Sequence, residues 1–250
     1  MLKTRIIPTL LWKNTGLVKG IAFDSWRRVG TLLPAVKIYN LRDVDELIIV
    51  DISATVEERG FDYAGIMEAS KECFVPLTVG GGIKDMSHIK KILRSGADKI
   101  TINTATFTDP KLIKHATEEF GSQCVVVSCD VRKTDSGYEC FSYAGTRPTG
   151  IDPASWVQKM EYFGAGEILL TSIDRDGSME GYDLDLIEYV SKYTNLPVIA
   201  SGGAGNYYHM LEAIKSGADA VAAASIFHFT EQIPIEAKRY LLLHGIHVRM

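Results

Sequence analysis

Short runs of apolar, largely β-branched residues alternate along the chain with longer segments whose apolar positions recur every three or four residues. The first kind predicts strands: RIIPTLL (5–11), ELIIVDI (46–52), PLTVGG (76–81), KITINT (99–104), CVVVSCDV (124–131), EILLTSI (167–173), PVIASGG (197–203) and AVAAAS (220–225). The second kind, as in MSHIKKILRSG (86–96) and YHMLEAIKSG (208–217), predicts amphipathic helices. Strands that are apolar on both faces and separated by helices belong in a parallel sheet covered on both sides. Eight such units in 250 residues predict an α/β fold of the (β/α)8 TIM-barrel type, with the whole of 1–250 as one domain.

The pattern also repeats. LTVGGGI (77–83) and VIASGGAG (198–205) are near copies, and SGAD recurs at 95–98 and 216–219. Pro76 and Pro197, Glu46 and Glu167, and His88 and His209 keep the same spacing of 121 residues. This predicts a barrel made of two half-barrels, about 1–121 and 122–250.

Composition changes this picture little but excludes several classes. Hydrophobic residues are 46% and charged residues 23%, as in a globular enzyme, and the net charge of −4 offers no basic surface for nucleic acid. No apolar run is long enough to span a bilayer, and MLKTRIIPTLLW is too interrupted for a signal peptide. Cys73, Cys124, Cys129 and Cys140 have no CxxC spacing, so a reduced, cytoplasmic protein is expected. No HExxH or His/Cys cluster appears, so neither metal nor cofactor is expected.

The chemistry of such a barrel sits at the C-terminal ends of its strands. There glycines let backbone approach a ligand and expose N–H groups to phosphate oxygens. Each half offers one cradle: Gly82 with Asn103 and Thr104, and Gly203 with Ala224 and Ser225. Asp176 and Gly177, in SIDRDGS, are expected to shape a phosphate loop. Two cradles suit a phosphorylated small molecule with an anionic group at each end. Aspartates end strands at Asp51 and Asp130, and Asp130 is the foremost proton-transfer candidate because CVVVSCD is apolar up to the acid. The stretches 12–30 and 132–150 exceed ordinary βα loops and are expected to be lids, with Lys19 free to swing over a charged substrate. His88, His115, His209, His244 and His247 are expected at the surface, and His228 as a structural residue. At the opposite face Arg5, Glu46, Lys99 and Glu167 open strands and point inward, which requires them to pair. They are either a plug for the barrel floor or a gate for something small.

From RIIP (5–8) through DELIIVDI, PLTVGGGI, SGADKITIN, GAGEILLTSIDRDG, PVIASGGAG and SIFHF to HGIHVR, the chain resembles the cyclase subunit of imidazole glycerol phosphate synthase. The resemblance implies a barrel that takes ammonia from a partner glutaminase of the class I amidotransferase type. It further implies reaction with a bisphosphorylated aminoimidazole-carboxamide ribonucleotide to give imidazole glycerol phosphate and an aminoimidazole ribonucleotide. Carried onto this sequence, it makes Asp130 a catalytic acid–base and Lys19 a loop contact. Arg5, Glu46, Lys99 and Glu167 become an ammonia gate, and Asp98 and Gln123 partner-interface positions.

The chain departs from the family at one position. The resemblance implies a second catalytic aspartate at the tip of strand 1, where PTLLWK places Leu11. Leucine carries no proton, and Asp51, on the neighbouring strand, is the substitute at hand. The beginning MLKTR-IIP-LL is similar to cyclase-like proteins that accompany surface-polysaccharide synthesis. Those act with a glutaminase-like protein and a sugar amidotransferase to turn an acetamido group into an acetamidino group. The expected function is therefore ammonia delivery for such an amidination. The alternatives are a genuine cyclase, a phosphosugar isomerase of the same double half-barrel type, and a non-catalytic ammonia conduit.

Overall fold

The computed structural model describes residues 3–250; Met1 and Leu2, which open the MLKTR run, lie outside the described residues. Eight strands run parallel and close on themselves: β1 (Arg5–Lys13), β4 (Leu47–Asp51), β5 (Leu77–Gly80), β6 (Lys99–Ile102), β7 (Val125–Thr134), β10 (Glu167–Ser172), β11 (Val198–Ser201) and β12 (Ala220–Ala223). β1 pairs with β12 on one side and β4 on the other, and β7 with β10 completes the circuit. These are the eight strands that the apolar runs predict, and the fold is a (β/α)8 TIM barrel.

The helices that pack outside have sequence reasons for starting and facing as they do. In α3 (Met86–Arg94), Asp85 accepts the free N–H groups of Ser87 and His88, and Ile89 and Ile92 turn inward. α7 (Leu184–Ser191) is capped in the same way by Asp183. Side chains alternate along each strand, so one set faces the helices and the other the lumen. The lumen set makes its own apolar layer: Ile7, Ile48, Val126, Leu169, Ile199, Ala220 and Ala222, with Val50 against it. Below that layer lie the four charges at the strand starts; above it lie Thr9, Leu11, Ser128, Asp130 and Thr171. The lumen is thus stacked as charge, hydrocarbon, then polar groups.

Local contacts recur 121 residues apart. Asp98 accepts the Leu77 N–H and Asp219 the Val198 N–H, both at 2.9 Å. A Cβ on Gly96 would collide with Ser70 Oγ, and one on Gly217 with Ser191 Oγ. His88 Nδ1 accepts the Lys84 N–H and His209 Nδ1 the Gly205 N–H. The last pair corrects one expectation: His88 and His209 are half-buried and fasten the turn before their helices, while His115, His244 and His247 are exposed.

The two long stretches are a second correction. Instead of loops, 12–30 extends β1 and adds β2 (Gly16–Ile21) and β3 (Asp24–Gly30) as an antiparallel hairpin. The stretch 132–150 likewise extends β7 and adds β8 (Gly137–Ser142) and the short β9 (Arg147–Pro148). Length alone suggested loops, but backbone groups that leave the barrel still need partners, and antiparallel pairing supplies them.

Candidate active site

The strand ends and both hairpins enclose a cavity of about 140 Å³. Leu11, Asp51, Gly82, Asn103, Thr104, Asp130, Asp176, Gly177, Gly203, Ala224 and Ser225 all line it, as does Lys19. The structure therefore gathers these residues at one mouth; Asp174, the other carboxylate after β10 expected there, lies outside the cavity with its side chain exposed. Close backbone approach explains the glycines that precede the helices. A Cβ on Gly203 (φ +105°) would stand 2.0 Å from the Gly181 carbonyl oxygen, and one on Gly81 (φ +105°) 2.2 Å from that of Asp51.

Asp130 is the buried acid of the site. Its Oδ1 accepts from Ser128 Oγ at 3.0 Å and its Oδ2 from Asn103 Nδ2 at 3.1 Å, and neither oxygen meets a cation. Desolvation pushes its pKa up to about 7; the Ser128 hydrogen bond opposes that rise and the negative charge of Asp176 adds to it. A carboxyl that titrates near neutrality can both give and take a proton.

Asp51 is differently placed. Its Oδ2 receives Arg59 Nη1 at 2.6 Å, and its Oδ1 receives Arg59 Nη2 and the N–H groups of Ser53 and Ala54, each at 3.0 Å. A carboxylate so fully supplied with donors organises the loop after β4. It leaves Leu11, which pairs with Val18 and Val50 on either side, without an acidic neighbour free to replace it.

Lys19 is not swinging in solvent. It is 2% exposed and reaches both oxygens of Asp176, at 2.6 and 2.8 Å. The Ala22 N–H donates to the Asp176 carbonyl at 2.8 Å, and Gly177 packs against the Gly20 carbonyl. Asp176 and Gly177, expected to shape a phosphate loop, hold the first hairpin down over the mouth. Burial raises the Asp176 pKa, and the Lys19 ammonium counters that rise. At the tips, Phe23 of the first hairpin packs on Gly145 of the second. Lys19→Met, which leaves Asp176 buried without its cation, is expected to make residues 16–30 several-fold more sensitive to limited proteolysis while the barrel stays intact. Peptide mapping of the earliest cleavage checks it.

The two cradles differ. In the first, the Gly82 N–H donates to Thr55 Oγ1 at 3.2 Å, the Asn103 side chain is turned to Asp130, and Thr104 Oγ1 accepts the Tyr143 N–H at 2.9 Å. In the second, Ser225 Oγ is buried without a partner. His228, after β12, is half-buried, and desolvation followed by the Lys19 and Arg42 charges lowers its pKa to about 4, so it is neutral. Thr55, Arg59 and Ser128 are site residues that the sequence reading missed. Ser128 alone carried a signal, since it lies two residues before Asp130 and so on the same face of the strand.

At the floor, Arg5 Nη1 contacts Glu46 at 2.7 Å and Glu167 at 2.9 Å, and Lys99 Nζ contacts the same two residues at 3.1 and 3.2 Å. The four charges form a closed, neutral ring across the bottom of the lumen. Asp98 and Gln123 are exposed near this face.

A (β/α)8 barrel with a neutral-range acid and close-packed glycines at its mouth and an ion ring at its floor has its polar groups gathered at the face where barrels of this class carry their chemistry. The Histidine biosynthesis protein family model matches residues 5–232, and the chain belongs to that family. It is 48% identical over 252 residues to the imidazole glycerol phosphate synthase subunit HisF of Dictyoglomus thermophilum. It is 46% identical over 251 residues to that of Pelodictyon phaeoclathratiforme and 45% to that of Chloroherpeton thalassium. In each comparison both chains are covered over their full length. No helix among the described residues is long and apolar enough to cross a membrane, and no group of three or more potential ligands is placed to hold a metal ion.

Proposed function

We propose that this protein is the ammonia-accepting barrel of a glutamine-dependent synthase of the imidazole glycerol phosphate synthase type. A glutaminase partner docks at the floor around Asp98 and Gln123. Ammonia passes the Arg5–Glu46–Lys99–Glu167 ring, rises past the apolar layer and meets a phosphorylated acceptor at the mouth. The observation that carries this reading is the placement of Asp130 above a lumen closed below by a paired ion ring. Uncharged ammonia crosses hydrocarbon far more readily than ammonium, and the acid that manages its protons belongs at the exit. Gly203, Ala224 and Ser225 hold one phosphate; Gly82, once Thr55 releases it, and Thr104 through its backbone N–H hold the other. Lys19, freed when its hairpin lifts, adds a cation.

The first acceptor for this site is the bisphosphorylated aminoimidazole-carboxamide ribonucleotide. Full-length likeness to subunits named for imidazole glycerol phosphate synthase supports it ahead of the polysaccharide reading that the opening residues suggested. One observation favours the second reading, amidination of an acetamido sugar alongside a sugar amidotransferase: Leu11 stands at the strand tip where the cyclase reaction calls for a second acid, and Asp51 is tied to Arg59. Cyclisation moves protons on two sides of the acceptor, and one carboxyl serves one side.

Steady-state turnover of the ribonucleotide with saturating ammonium, wild type beside Leu11→Asp, tests the two. Turnover well above background in the wild type supports the cyclase. Its absence, with a gain of about 10²-fold or more in Leu11→Asp, supports a changed acceptor at an otherwise intact site. No turnover by either protein would sink the ribonucleotide as acceptor.

A further inference from the structure

The hydrogen-bond directions around Asp130 can be assigned without seeing a hydrogen. The Tyr143 N–H can only donate, and it donates to Thr104 Oγ1 at 2.9 Å. The Thr104 hydroxyl hydrogen is then directed at Asn103 Oδ1, 3.2 Å away. That fixes the Asn103 amide, with its oxygen toward Thr104 and its nitrogen toward Asp130 Oδ2 at 3.1 Å. The same nitrogen has the Ser128 and Phe141 carbonyls at 3.2 and 3.1 Å. Every group around Nδ2 is an acceptor, so no partner favours turning the amide over. Nδ2 has two hydrogens for these three acceptors, so what Oδ2 of Asp130 meets there is a donor group and never an acceptor, whereas Oδ1 faces Ser128 Oγ, a hydroxyl that can donate or accept.

We propose that Asn103 and Ser128 are positioning residues that decide which oxygen of Asp130 carries the proton. The Asn103 amide bars the proton from Oδ2, and the Ser128 hydroxyl follows it on Oδ1. In the transfer, Oδ1 gives its hydrogen to a basic atom of the acceptor or ammonia, the electron pair of the O–H bond stays on Oδ1, and Ser128 Oγ–H turns to donate to the new carboxylate. The return step reverses each movement. Of the charged groups nearby, only Asp176 is felt at Asp130, where its negative charge favours the protonated acid even though it is paired with Lys19. Asp51 is held by Arg59, and Arg132, further along β7, turns toward Asp174 and lies over the Phe141 ring. On the helix-facing side, Cys129 and Cys140 are a buried thiol pair, Sγ to Sγ 3.6 Å. The rise in the Asp130 pKa is what a buried acid with only neutral donors shows.

This inference rests on the proposed proton-transfer role, but its test does not require the acceptor. The carboxyl carbon of Asp130, identified by its loss in Asp130→Asn, is titrated by 13C NMR in the wild type, Ser128→Ala, Ser128→Thr and Asn103→Ala, with the ammonia-dependent pH–rate profile measured in parallel. Each Ala variant removes a donor to the charged form, so the midpoint is expected to rise by about one unit. Ser128→Thr, which keeps the hydroxyl, restores it. In the rate profile the ascending limb follows the same shift and kcat falls at pH 7. An unmoved Asp130 midpoint in both Ala variants overturns the inference; should Asn103→Ala not fold, the Ser128 pair decides it. Shifted midpoints without any turnover leave the positioning role standing and reject the acceptor instead.

Discussion

Asp130→Asn is expected to reduce ammonia-dependent turnover by about 10²–10⁴-fold and, at pH 8, to make the protein more stable. Both effects come from the same burial. The folded-state pKa of about 7 lies well above that of an exposed aspartate, so the native protein favours the protonated form. Its stabilising contribution is complete below about pH 4, the unfolded value, and is lost as pH rises through the folded value near 7. At pH 8 the wild type therefore carries a buried carboxylate that only Ser128 and Asn103 offset. An amide has nearly the same shape and carries no charge; its oxygen accepts from Asn103 Nδ2 while its NH2 donates to Ser128 Oγ. The expected gain in melting temperature at pH 8 is about 2–6 °C, shrinking toward zero at pH 4, where the wild-type acid is neutral as well. Scanning calorimetry at the two pH values checks it. A loss of stability at pH 8 would mean that the carboxylate has a cationic partner in solution. Unchanged ammonia transfer in a reconstituted system would turn the assignment toward a passive conduit.

The second large effect lies at the floor. Lys99→Met leaves Glu46 and Glu167 sharing Arg5 alone, with two carboxylates and one cation inside the barrel. Breaking a buried ion pair from one side costs about 3–5 kcal/mol; with ring side chains 8–21% exposed, a loss of about 2–4 kcal/mol is expected. Urea denaturation measures it. Lys90→Met is the comparison, since the Lys90–Glu119 pair is 41% and 43% exposed and its loss is expected to cost under about 1 kcal/mol. Joining Glu167→Met to Lys99→Met removes one charge of each sign and is expected to recover much of the loss. Equal, small effects from Lys99→Met and Lys90→Met would show that water screens the ring and that it closes nothing.

Much of the site was legible before the fold was known, because the signals lay inside single strands. CVVVSCD announces an acid at the end of a buried strand, and the paired glycines mark the turns where backbone comes close to a neighbour. Arg5, Glu46, Lys99 and Glu167 were legible for a different reason. Each opens a strand that is otherwise apolar, and charges so placed must meet one another in a closed barrel. The misreadings arose where partners are distant in sequence. Lys19 looked mobile because its counter-ion, Asp176, is 157 residues away. Asp51 looked like a spare acid because its neighbour Arg59 sits in a loop whose path no periodicity describes. That the Asn103 amide turns to Asp130, 27 residues on, was likewise hidden until the barrel closed.

The sequence by itself determined the barrel, the repeat at 121 residues, and the mouth and floor residues, since alternation, glycine punctuation and strand-end charge are local properties of the chain. The tertiary structure decided which of those groups are free and which are taken. Hydrogen bonds and ion pairs act over about 3 Å, and only the closed fold brings Lys19 to Asp176, Arg59 to Asp51 and Asn103 to Asp130 within that reach.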